Sequence, residues 1–86
     1  MGFDEIVLDT FLEKQLQLFP EIVADTREEA AYFLEDMMAV VCKNKKEVKK
    51  YFDEVGSDIA GLSADDLLEE SEVFALPDGR YLIVEG

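Results

Sequence analysis

The sequence predicts an α+β domain: three to four helices followed by a C-terminal β-hairpin packed on the helical layer. Three observations lead there. Apolar residues recur at helical spacing up to about residue 70. Capping-box signatures stand before several of those runs. From residue 72 the pattern changes to two β-prone runs around Pro77-Asp78-Gly79.

The first helix is expected over about Asp4 to Leu18, with Leu8, Phe11, Leu12, Leu16 and Phe19 on one apolar face and Pro20 ending it. Residues 20–25, PEIVAD, form a connection. Thr26 and Glu29 make a capping box, and Ala30, Phe33, Leu34, Met37, Met38 and Val41 continue the helical pattern behind it. This second helix is expected to reach Val41 and to be central. The third runs Lys45 to Val55, capped by Asn44 with Glu47, striped by Val48, Tyr51, Phe52 and Val55, and stopped by Gly56. Val41 and Val48 stay in phase, so one continuous helix from Arg27 to Val55 is the alternative; the second capping box favours a break at Asn44. A short fourth helix starts after Ser63 and ends near Glu70, with Leu62 and Leu67 as a hydrophobic staple.

The hairpin pairs Glu72–Leu76 with Arg80–Val84, and both of its faces are apolar. A lone hairpin is marginal in water, so these strands must pack on helices, pair with a further strand, or both. Helices followed by a hairpin is also a winged-helix-like order, which is the alternative arrangement. Residues 64–70 would then be the recognition helix, but they read ADDLLEE, and phosphate repels four carboxylates. A winged-helix-like form would lack DNA-binding chemistry.

Eighty-six residues make one domain, and a formal charge of −13 opposes binding to nucleic acid and to anionic membranes. There is no His and a single Cys, so neither an imidazole base nor an internal disulfide is available. No cofactor or metal is expected. The opening MGFDEIVLDT lacks the layout of a secretory signal, and Ile6 stands where a myristoylation motif takes Ser or Thr. Cytoplasmic residence is the expectation. Cys42, at the end of an apolar run, reads as a small buried hydrophobe rather than a nucleophile. The eight spread aromatics, from Phe11 to Tyr81, read as core, as do Met37 and Met38.

Charge is segregated. Residues 1–42 carry −8 and residues 51–86 carry −9, while KNKKEVKK at 43–50 carries +4. Lys43, Lys45, Lys46, Lys49 and Lys50 are thus one half of a candidate partner surface. Asp65, Asp66, Glu69 and Glu70 are the other, with Asp65/Glu69 and Asp66/Glu70 at i, i+4 spacing on the short helix. Structural uses compete with this reading: cations suit the end of the second helix, and Lys49 and Lys50 can pair with Asp53 and Glu54. Lys45 and Lys46 sit badly at the positive end of a third helix, so either the helix runs through or they face something negative. The acidic stretch equally suits the N-terminal dipole of the fourth helix, and it could hold a hard cation.

With no catalytic motif, an enzyme is not expected. The leading expectation is a small acidic, non-catalytic protein-interaction module with a protein partner, self-associating through the hairpin edge as a homodimer. The alternative is an acidic inhibitor or immunity-type protein that blocks a basic nucleic-acid-binding site on a toxin or nuclease. A carboxylate-based metal-dependent enzyme is third.

Overall fold

The computed structural model describes residues 3–56 and 61–85, so the Met1-Gly2 opening lies outside the described residues. Helix α1 spans Glu5–Lys14 and tightens into a 3-10 turn at Gln15–Gln17. Then come α2 (Arg27–Asp36), β1 (Val40–Cys42), α3 (Lys45–Val55), α4 (Ala64–Leu67), β2 (Val73–Ala75) and β3 (Tyr81–Ile83). The α+β class is therefore observed, with one strand more than the hairpin provides.

Each helix starts where a short polar side chain can take a free N–H. Asp4 accepts from Val7 N at 3.0 Å, Thr26 from Glu29 N at 3.1 Å, Asn44 from Glu47 N at 3.0 Å and Ser63 from Asp66 N at 3.2 Å. Such a cap contributes roughly 1 kcal/mol. In the two capping boxes the Glu29 and Glu47 carboxylates fold back onto the N–H groups of Asp25 and Lys43, at 2.9 and 2.8 Å. Asn44 thus begins α3, and the continuous helix over 27–55 does not form.

The second helix is shorter than its periodicity suggests. Met37 is its C-cap, Met38 turns left-handed at φ 57°, and residues 40–42 become β1. Met38 N–H donates to Glu35 O at 3.1 Å and Ala39 N–H to Leu34 O at 3.0 Å, the paired bonds of a Schellman stop. Met occupies the position usually held by Gly. Met38 is 81% exposed rather than core, Tyr32 at 64% is likewise outside it, and Val55 at 49% escapes at the end of α3.

The sheet is antiparallel in the order β1-β3-β2, with Val41, Leu82 and Phe74 in one row and Val40, Ile83 and Val73 in the next. Side chains alternate across a strand, so the rows face opposite ways. Phe74, Leu76, Leu82 and Val84 join Val7, Leu8 and Phe11 of α1 and Ala30 and Leu34 of α2. Val73, Ile83 and Cys42 join Val48 and Phe52 of α3 and Leu67 of α4, with Leu62 packed alongside. The hairpin packs on helices as expected, and the helices lie on both faces of the sheet. The reason is the hairpin's own pattern, since one-sided packing would leave Val73 and Ile83 in water. Phe11, Phe52, Phe74 and Leu82 are fully buried, each worth about 1.5–3 kcal/mol by area. Where the winged-helix-like alternative needs a recognition helix, α4 is a single turn bearing Asp65 and Asp66.

Leu16, expected on the apolar face of the first helix, is 58% exposed. The 3-10 turn brings Gln15 inward instead, where it is 2% exposed. Its Nε2 donates to Leu12 O at 3.1 Å and Ala24 O at 2.9 Å; its Oε1 accepts from Val23 N at 2.7 Å and Ala24 N at 3.1 Å. All four hydrogen-bonding capacities of the amide are used. This one side chain ties the 20–25 connection to α1. Nearby, the Phe11 ring lies 5.7 Å from Phe33 and 5.6 Å from Phe74, with Phe19 edge-on to Phe33 at 5.3 Å.

Two arginines join elements at the surface. Arg27 forks onto Asp9, Nε to Oδ1 at 2.7 Å and Nη2 to Oδ2 at 2.9 Å, binding α2 to α1. Arg80 donates to Asp78 at 2.7 Å and to Asp4 at 2.9 Å, linking the hairpin to the α1 cap.

Gln15→Ala should lower stability by about 2–4 kcal/mol in urea unfolding, because four backbone groups, two of them in buried hydrogen bonds, lose their partner together. Gln15→Glu should be destabilised at neutral pH and recover on acidification. Burial against two carbonyls raises its folded pKa, so its penalty vanishes below about pH 4.3, where both states are protonated.

The wild-type chain should show the opposite trend in acid. The Val7 N–H and then Arg80 hold the Asp4 carboxyl below its usual range, and Arg27 does the same for Asp9. Depressed folded values mean that their contribution is complete above about pH 4 and lost as pH falls through them. The urea midpoint should therefore drop below about pH 4, and less steeply in Asp4→Asn and Asp9→Asn.

Candidate functional site

The two charged stretches singled out in the sequence meet at one point. Lys45 Nζ, on the first turn of α3, lies 3.1 Å from Asp65 Oδ1 on the first turn of α4. Lys45 thus answers its unfavourable place on the helix dipole by facing a carboxylate twenty residues away in sequence. Lys49 pairs with Asp53 at 2.9 Å, as the i, i+4 spacing suggests. Lys50 and Glu54 do not close, and Lys43, Lys46 and Lys50 have no ion-pair partner among the described residues. Pairs as exposed as these contribute little, about 0–1 kcal/mol.

The acidic half is less ordered as a surface than its spacing implies. Because α4 ends at Leu67, Asp65/Glu69 and Asp66/Glu70 are not neighbours on one helix face. Instead Glu69 N–H and Glu70 N–H close tight turns onto Asp66 O and Leu67 O. Leu67 and Leu62 are both drawn into the core beneath, so burial of the staple outweighs extension of the helix. Among the described residues no three His, Cys, Asp or Glu side chains gather to hold a metal ion. No described helix is long and apolar enough to cross a membrane.

Cys42 is 3% exposed, and burial followed by the Glu47 carboxylate pushes its thiol up to about 11. It stays protonated at neutral pH and packs as a small apolar group, as expected. Tyr51 donates its hydroxyl to Glu85 Oε1 at 2.9 Å, and burial followed by that contact pushes it up to about 12.

The sheet edges supply a feature that composition could not. Leu76 N–H bonds to Arg80 O and Val84 N–H to Glu72 O, so Phe74 and Leu82 between them form the next hydrogen-bonded pair. Tyr81 and Ile83 then turn their backbone groups to Cys42 and Val40, and Val41 turns its N–H and C=O outward. On the other edge Gln17 Nε2 covers Ser71 O and Val73 O, both at 3.0 Å, and Val73 N–H bonds to Glu70 O. Pro77 closes that edge's far end.

Ala75, which turns its backbone groups outward in the same phase as Val73, has no such cover among the described residues, and neither has Val41 on the β1 edge. Exposed Met38 stands before it, Val40 and Val41 are half-buried, and a shallow groove of about 240 Å³ runs beside it between Val41, Lys50, Tyr51 and Glu54. Its neighbouring donors are satisfied internally: Ala39 N–H by Leu34 O, and Lys43 N–H by Glu47. The site is therefore narrow: one open peptide, an exposed thioether and lysines at one end. Sequence reasoning missed it because Val40 and Val41 were absorbed into the helical period; the signal present was a β-branched pair ahead of a capping box. Compared with protein-family models, characterised proteins and solved structures, the chain matches none.

A left-handed Met costs about 1 kcal/mol where Gly costs none. Met38→Gly should therefore raise the unfolding free energy by roughly that amount in a urea titration.

Proposed function

We propose that this chain is a small, acidic, non-catalytic protein-interaction module that binds a protein partner through the outer edge of β1. The observation that carries this reading is the open Val41 peptide beside Met38. An exposed edge strand offers main-chain hydrogen bonds to an incoming strand, and adjacent apolar side chains supply the area. Met38 strengthens the reading, because a strained, 81%-exposed Met where Gly would be more stable is explained by contact outside the fold. Phosphate is disfavoured as a ligand: α4 carries Asp65 and Asp66, and Arg80 at the hairpin is engaged by Asp78 and Asp4. The Cys42 thiol, buried as a core group, suits a reducing, cytoplasmic compartment.

A second reading, the acidic inhibitor of a basic nucleic-acid-binding protein, draws on Asp66 and Glu69, which are exposed beside the half-buried Glu70. The two differ in salt dependence. Binding dominated by carboxylates should weaken steeply with salt, whereas edge pairing should survive it.

Val41→Pro tests the edge. It removes the outward N–H and leaves the inward bonds of Val40 and Cys42 to β3 in place. The circular dichroism spectrum should be retained, and partner capture by the tagged protein should fall about tenfold or more, with a smaller loss for Met38→Gly. Capture unchanged in both variants would direct attention to the acidic face.

A further inference from the structure

We infer that the occupant of the β1 edge is a second copy of this chain, paired antiparallel about a two-fold axis at Val41. This rests on the edge-binding reading above and names its partner.

The order of charge along the edge is self-complementary. Glu35 and Asp36 close α2 just before the strand, and Lys43 and Lys46 follow just after it. An antiparallel mate reverses that order, so the acidic end of α2 in one copy is set toward Lys43 and Lys46 of the other, with Glu47 and Glu54 beside the groove as the like charges of the seam. The backbone geometry agrees. Val41 N–H and C=O point outward together, so two copies can exchange both bonds at one Val41–Val41 pair, joining two three-stranded sheets into six strands. An isologous contact of this kind uses the same β1 edge on both copies and closes at two. It also locates contact where two −13 chains repel least, at the one stretch with a local excess of positive charge.

The seam is short. The donors of Ala39 and Lys43, next in the hydrogen-bonded phase, are already engaged inside each copy. Two backbone bonds, Met38 and the half-buried Val40 and Val41 must suffice, which makes a weak dimer, with Kd on the order of 100 µM. Long-range repulsion between the copies is screened before the short-range pairs are, so dimerisation should strengthen between about 10 and 150 mM salt.

Sedimentation equilibrium from about 10 µM to 1 mM spans that expected range and should give a mass rising toward two chains. Val41→Pro should weaken association about tenfold or more. The pairs Glu35→Lys/Asp36→Lys and Lys43→Glu/Lys46→Glu each place like charge at both ends, and each protein alone should be monomeric. Mixed one to one, they regain complementarity and should form a heterodimer. Both pairs suit the dipoles of their own helix ends, and because Glu35 also has a contact within its own copy, the circular dichroism spectrum of each variant is compared with that of the wild type. A wild-type chain still monomeric at about 1 mM overturns the second-copy assignment, as does a wild-type dimer indifferent to Val41→Pro and to the charge exchange. If that monomer captures another protein in a Val41→Pro-sensitive way, edge binding stands and only the partner is wrong. If it shows no edge-dependent capture, both readings fail.

Discussion

Strand β3 is three residues long, and the molecule is organised by the fact that its neighbours alternate across it. Leu82 sends its side chain to α1 and α2 with Val41 and Phe74; Ile83 sends its own to α3 and α4 with Val40 and Val73. A sheet buried on both faces needs helices on both, and a chain this short can supply them only if its strands are brief. The brevity is offset by what surrounds each strand: a Schellman stop before β1, a capping box after it, and a turn tied by Arg80 between β2 and β3. Remove the alternation and the two apolar clusters would have no common wall.

Much of this was legible in the sequence where chemistry is local. Thr26, Asn44 and Ser63 announced their helices because a short side-chain oxygen three residues before an N–H is a short-range relation. Pro77-Asp78-Gly79 announced the turn for the same reason, with Gly79 at φ 92°. Strand β1 was hidden because the period of Ala30, Phe33, Leu34, Met37 and Val41 continues past the true end of α2. The stop is made by a residue that favours helix and carries no turn signal. Gln15 was hidden because its value comes from Val23 and Ala24, whose positions depend on the fold.

The candidate site shows the same division. The segregation of charge and the Lys49–Asp53 pair could be read from spacing, whereas Lys45 and Asp65 meet only because α3 and α4 pack side by side. Of the eight cations in the chain, Arg27, Lys45, Lys49 and Arg80 are committed to internal carboxylates. Lys43 and Lys46, nearest β1, have no such partner among the described residues. Positive charge in an acidic chain is thus divided between holding helices together and marking one edge of the sheet.

Gln15 also sets where this protein can change over evolutionary time. It grips the 20–25 connection entirely through main-chain atoms, which every amino acid but proline supplies in full. Side chains at Pro20, Glu21 and Ile22, all exposed, can therefore drift freely. The connection could lengthen by a residue at its tip at little cost in closure entropy. The freedom of three positions is secured by the fixity of one.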